Sequence, residues 1–302
     1  MRVKTHLPRE GIPIACLIFF GLSLACTHLS AEEIAVDPGD VVAPPTGTSI
    51  AALYLQHTKS NKLYSDGNLL TNQADLKTTV GLLRLGHVME IAGYKVLPQV
   101  ILPYGQMDLG KDLGAQPAMR TTVFGDTLVG ATAWLISDPE SKTWFGIPFY
   151  LSLPTGEYDG NQGPFNIAEN RWKATLQAGY AKGLSDKFLV EVICEYSMYG
   201  KNDDFYGKSM EQKASQSLMG HLTYKATEKT SLSMSYFHTI GGETKVDGFE
   251  QSDRKNNSRW LATASTWVAP GLNVQLQYGQ DLDVKNGLKQ SDRINLRLAK
   301  LF

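Results

Sequence analysis

His221 and Ser235 lie on either side of a short turn at 227–229, in a stretch where residue character alternates. If that turn joins antiparallel strands in register, their Cβ atoms stand ~5 Å apart. The imidazole could then take the hydroxyl proton, as in the first two members of a nucleophilic hydrolase site. Such a site also needs an orienting third group and oxyanion donors, and neither can be placed at a readable spacing. Ser235 ends the row Ser231, Ser233, Ser235, which reads equally as one wet wall. Glu191 and Glu195 offer paired carboxylates, but four residues of strand separate them by roughly 13 Å, too far for a glycosidase pair. Asp159-Gly160-Asn161 and Asn202-Asp203-Asp204 supply oxygen atoms in turn-forming company, without the spaced acidic loop of a calcium site. No phosphate-cradling glycine loop, H-E-x-x-H or C-x-x-C occurs. The reading is non-enzymatic, with no catalytic residue, no metal and no cofactor.

These polar residues belong to a larger pattern. Leu272, Val274, Leu276 and Tyr278 alternate with Asn273, Gln275, Gln277 and Gly279, and Trp172 to Tyr180 alternates in the same way. Period-2 alternation marks strands with two unlike faces. It predicts twelve strands, at 49–57, 78–87, 94–106, 125–137, 143–153, 171–184, 187–199, 214–226, 230–241, 257–268, 272–282 and 292–302. Every second connection is tight, such as Ala92-Gly93 and Ala269-Pro270-Gly271; the others, at 58–77, 107–124, 154–170, 200–213, 242–256 and 283–290, are long and polar. An even strand number with short turns at one end and long loops at the other is the pattern of an all-β, antiparallel transmembrane barrel, with periplasmic turns and extracellular loops.

A water-soluble sandwich also alternates, and three features oppose it. Ile294, Leu296, Leu298 and the terminal Phe302 share one face of a last strand that runs to the end, resembling the signal read by barrel-assembly machinery, although Lys300 departs from that pattern. The tryptophans Trp134, Trp144, Trp172, Trp260 and Trp267 fall near expected strand ends, where interfacial girdles sit. The wet face is rich in Ser, Thr, Gln, Gly and Asn in place of the Lys and Glu of a soluble surface.

At the start, Arg2, Lys4 and Arg9 precede an apolar run from Ile12 to Leu24, and Ser30-Ala31 offers a cleavage site, so 1–31 reads as an export signal. Residues 32–47 are expected to form an irregular periplasmic segment, and 48–302 the barrel. Removal of 1–31 would leave Cys194 as the lone thiol, so no disulfide framework is expected. With 29 basic and 30 acidic residues and no cationic cluster, the chain is no nucleic-acid binder. The destination is the outer membrane of a Gram-negative bacterium, with outer-membrane lipid as a partner.

Specific blocks carry a resemblance. Gly125-Asp126-Thr127-Leu128, Leu153-Pro154-Thr155-Gly156-Glu157-Tyr158-Asp159, Asn166 with Asn170-Arg171-Trp172, Tyr199-Gly200-Lys201-Asn202 and Gly241-Gly242-Glu243-Thr244 follow one another in the order found in the outer-membrane transporter family linked to the MetA pathway of phenol degradation. Pro44-Pro45-Thr46-Gly47-Thr48 and the 97–105 strand are similar as well. The resemblance implies a barrel that moves hydrophobic or aromatic small molecules.

The expected substrate pathway combines two groups. Parity places Asp126, Glu191, Glu195, His221 and Arg297 in the lumen, together with Lys173 and Lys225. Loop 154–170 is expected to fold toward the mouth, with Tyr158 and Phe165 meeting an apolar solute and Asn166, Asn170 and Arg171 holding the loop. The alternative is a barrel without transport, either an envelope lipid or ester hydrolase or a structural or adhesive surface protein.

Overall fold

The computed structural model describes residues 36–113 and 116–302; the expected export signal lies outside the described residues. Twelve strands form the wall: β1 (Ser49–Ser65), β2 (Leu76–His87), β3 (Tyr94–Leu109), β4 (Leu128–Asp138), β5 (Thr143–Ser152), β6 (Lys173–Gly183), β7 (Phe188–Tyr199), β8 (Ser215–Lys225), β9 (Thr230–Gly241), β10 (Lys255–Ala269), β11 (Leu272–Asp283) and β12 (Gly287–Leu301). Each pairs with its neighbours in sequence, and β12 returns to pair with β1 from Ile50 opposite Leu301 to Tyr64 opposite Gly287. Closure leaves the wall no open edge, as a span through hydrocarbon requires.

Side-chain polarity is inverted relative to a soluble protein. On β11, Leu276 and Tyr278 are 50% and 45% exposed, while Gln275 and Gln277 are 2% and 3% exposed. The apolar face meets lipid and the polar face fills the interior. Aromatic side chains mark both rims of the apolar belt. Ring centroids of Tyr104 and Phe124 lie 4.9 Å apart and those of Trp260 and Tyr278 6.0 Å apart on the loop side, and those of Phe188 and Tyr224 5.2 Å apart on the turn side, all tilted or edge-on.

Two tryptophans leave the expected girdle. Trp134 and Trp144 are buried and point inward, because Trp134 shares its face with Leu128 and Thr132, and Trp144 shares its face with Tyr150 and Ser152. A buried indole N–H needs an acceptor, and that of Trp134 finds the Val41 carbonyl at 2.8 Å.

Several strands run past the membrane. β1 has 17 residues, about 56 Å of strand, against an apolar band about 25 Å tall. Above the membrane, loops 200–214 and 242–254 build a four-stranded sheet from Asn202–Phe205, Lys208–Gln212, Thr244–Val246 and Phe249–Glu250. The strand expected at 125–137 is Leu128–Asp138, and a further strand, Met119–Phe124, pairs with the outer end of β3 inside the segment 107–124 that was expected to be loop. Between them Asp126 turns its carboxylate to the backbone N–H groups of Gly156 (3.0 Å) and Glu169 (2.7 Å). One side chain thereby ties both ends of the 153–172 loop to the wall.

Candidate functional site

The interior holds two stoppers of different chemistry. The first is made by residues 36–43, part of the segment 32–47 that was expected to be irregular and periplasmic; their contacts run instead to the lumen faces of the wall. Asp37-Pro38-Gly39-Asp40 makes a tight turn, with the Asp40 N–H on the Asp37 carbonyl at 3.0 Å and Gly39 at a φ of 94°, where a side chain would be strained. The turn presents two carboxylates to two arginines. Arg297 Nη1 donates to Asp37 Oδ2 at 3.0 Å and to Asp40 Oδ1 at 3.1 Å, and Arg84 Nη1 donates to Asp40 Oδ2 at 3.0 Å. Gln277 adds a hydrogen bond to Asp37 at 2.9 Å. On the opposite wall, Glu191 accepts from the Gly39 and Val41 N–H groups at 2.7 and 3.3 Å. Val41 itself packs among Trp144, Ala181, Leu189, Ile193, Met219, Phe237 and Leu261. Cavities of about 30 Å³ remain on the two sides of this strap, one beside Arg293 and Asn295, the other beside Trp134 and Tyr150. Each has room for about a single water.

The second stopper enters from outside. Loop 153–172 folds inward through a short helical turn, Gly160–Gln162, and drives Phe165 and Ile167 into a cluster with Leu76, Val80, Ile101, Met107, Leu109 and Leu128. Phe165 is fully buried. Asn166 fixes the loop by donating to the carbonyls of Asp159 and Gly163 and accepting from the Asp159 N–H. Arg171 is buried, pairs with Glu169 at 2.5 Å, donates to Gln212 Oε1 at 2.6 Å and lies 4.7 Å above the Tyr199 ring. Asn170, at a φ of 53°, donates to Asn202 Oδ1, and Asn202 in turn donates to the Tyr158 hydroxyl at 2.9 Å. Burial pushes the Tyr158 phenol up to about 12, so it stays neutral at any working pH.

The remaining expected residues fall into separate places. Glu195 accepts from Gln177 at 2.7 Å and from Ser197 at 3.3 Å, above the strap. His221 Nδ1 and Ser235 Oγ lie 2.8 Å apart, as the register implied, with the ring edge-on to Phe237 at 5.7 Å. No carboxylate orients that imidazole among the described residues, nor does any group of three His, Cys, Asp or Glu there have the geometry to hold a metal. Ile294, Leu296 and Leu298 face outward on β12, and the Phe302 backbone exchanges hydrogen bonds with Ser49 at 2.7 and 3.1 Å. The strap was missed in the sequence because its aspartates read as turn residues; the available signal was an excess of inward-facing arginines, Arg84 and Arg297, with no acidic strand partner at matching register.

Residues 60–298 match the family model described as "Putative MetA-pathway of phenol degradation". A crystal structure of an outer-membrane channel from Pseudomonas putida F1 is 34% identical, with a TM-score of 0.84, covering 88% of this chain and 100% of that one. The β-domain of the Bordetella autotransporter BrkA (12% identity, TM-score 0.55, 84% and 100% covered) and the translocator domain of NalP from Neisseria meningitidis (11%, 0.53, 86% and 89%) share the fold alone. No curated protein matches the chain.

Proposed function

This chain belongs to the phenol-degradation MetA-pathway family, and on that premise we propose that small apolar or aromatic solutes pass through it once its two stoppers give way. It is a Gram-negative outer-membrane barrel that gives small solutes passive passage, and it is not an enzyme. The observation that carries the solute class is the lining of the outer entrance. Phe165 and Ile167 sit on Leu76, Val80, Ile101, Met107, Leu109 and Leu128, a surface on which an aromatic ring can replace an aromatic ring at little cost in hydration. An entrance for ions would carry a ring of one charge sign. Tyr158, Asn166, Asn170 and Arg171 hold the loop that carries Phe165, and Glu191 and Arg297 hold the strap below. Both stoppers are tethered by hydrogen bonds and ion pairs, which can be exchanged for water without unfolding the wall.

The test is a liposome-swelling series across phenols, alkanes, sugars and amino acids. Faster entry of phenols and alkanes than of sugars and amino acids of similar size is expected. Equal entry of all four classes, or none, in correctly assembled protein would reject the solute class.

A further inference from the structure

Outside the lumen, the lipid-facing surface is lopsided. On β1, side chains that point outward run Leu53, Leu55, His57, Lys59, and past a bulge Lys62. Lys59 stands directly opposite Lys77 of β2, and Lys62 directly opposite Lys289 of β12. Like charges opposite one another across a ladder destabilise it, and here two such pairs are neighbours. The row continues through Asp108 of β3, opposite Lys77, to Arg120, opposite Asp108. Three carboxylates share the patch: Asp108, Asp292, which is opposite Lys59, and Asp75, whose Oδ1 is 3.6 Å from the Lys77 Nζ. Lys289 is turned to the Leu282 carbonyl. Among the described residues no carboxylate is within ion-pair distance of Lys59 or Lys62.

The height of the patch is set by register. His57 is opposite Ile294, an exposed aliphatic side chain of the lipid belt, and Lys59 lies two residues further out. That is about 7 Å along the strand and about 5 Å in height at the usual tilt, the level of the lipid head groups. Across the barrel the corresponding outward rows are uncharged, as in Leu151, Ala174 and Met198, or Phe149, Leu176, Tyr196 and Gln216.

We propose that the outer face of β12, β1 and β2 is a binding site for a phosphorylated lipid of the outer leaflet, with Lys59, Lys62, Lys77 and Lys289 gathered on its phosphate groups. A phosphate between each lysine pair turns two repulsive cross-strand contacts into charge-assisted hydrogen bonds. The lipid's acyl chains then lie on Leu53, Leu55, Leu296 and Leu298, which are exposed directly below. The site faces lipid on one side of the molecule only, so it fixes one flank of the barrel to its surroundings.

Native mass spectrometry of the detergent-purified chain tests this, with lipid A, enzymatically dephosphorylated lipid A, and inorganic phosphate as probes. Retention of lipid A about tenfold above the dephosphorylated form is expected, with inorganic phosphate unable to displace it at equal concentration. Lys59→Gln with Lys62→Gln should bring lipid A down to the dephosphorylated level, while Lys201→Gln with Lys208→Gln, in the extracellular loops, should leave it unchanged. Heat-modifiability on gels confirms assembly of each variant. Equal retention of the two lipids by the unmodified chain would overturn the proposal without reference to any variant. So would displacement by inorganic phosphate, or unchanged retention in the Lys59 and Lys62 variant.

Discussion

The two stoppers block the same lumen by opposite means. The inner strap is held by charge: Asp37 and Asp40 on Arg84 and Arg297, and Glu191 on two backbone N–H groups. The outer loop is held by apolar contact at its tip, through Phe165 and Ile167, with Asn166 between them bonding within the loop and the ion pair of Arg171 at its base. A buried ion pair costs most when one partner is lost, because the other is left charged and unpaired. An apolar plug has no such threshold, and any apolar guest of suitable size can take its place. Under the proposed function, the strap would set whether the barrel conducts and the loop tip would select what enters.

The largest expected effect separates these roles. Deleting residues 36–43 in a chain that also carries Phe165→Ala, so that neither stopper remains, should raise ion conductance in planar bilayers by roughly tenfold or more, as a polar lumen fills with water, with heat-modifiability preserved. Conductance equal to that of the intact chain would mean that the strap is not the barrier. A milder form is Asp37→Asn with Asp40→Asn, which leaves Arg84 and Arg297 facing neutral amides. Loss of one side of a buried pair costs ~3–5 kcal/mol, so amide exchange at Gly39 and Val41 should accelerate and conductance should rise part of the way. Unaltered exchange at both amides would show that Glu191 and Val41 suffice to hold the strap.

The outer stopper should respond differently. Tyr158→Ala with Phe165→Ala should change phenol entry several-fold in swelling assays and leave ion conductance near its starting value, since the strap is still in place. If ion conductance changed as much as phenol entry, the division between barrier and selector would fail. The smallest effect is expected from Tyr158→Phe, which removes only the hydroxyl that accepts from Asn202. The loss is about 1 kcal/mol, visible as faster amide exchange at the loop base and in no permeation measurement.

The wall was legible because a lipid-facing strand has to alternate. Leu272 to Gly279 shows that alternation over eight residues, and turns such as Ala269-Pro270-Gly271 punctuate it. Both signals are local, and Gln277 is inward for the same reason that Tyr278 is outward. The strap was illegible because its partners lie far away in sequence; Gly39 meets Glu191 across 152 residues and Asp37 meets Arg297 across 260. A Pro-Gly turn flanked by aspartates has the composition of any solvated turn. Trp134 and Trp144 misled in the same way, because the indole of Trp134 is needed inside only when the Val41 carbonyl is there to accept from it. Phe165 was legible as an aromatic in a loop, whereas its neighbours Leu76, Met107 and Leu109 come from strand ends expected to be loop.

The arginines that hold the strap sit on β2 and β12, the two strands that flank β1. β1 and β12 are the first and last strands of the ring, and Asp40 reaches Arg84 on one side of β1 and Arg297 on the other. The turn at Asp37–Asp40 is thus a clasp laid across the inside of the seam, fastening first strand to last from within. Drawing the clasp out would remove a cross-link from the join itself and leave first and last strand held by their backbone ladder alone.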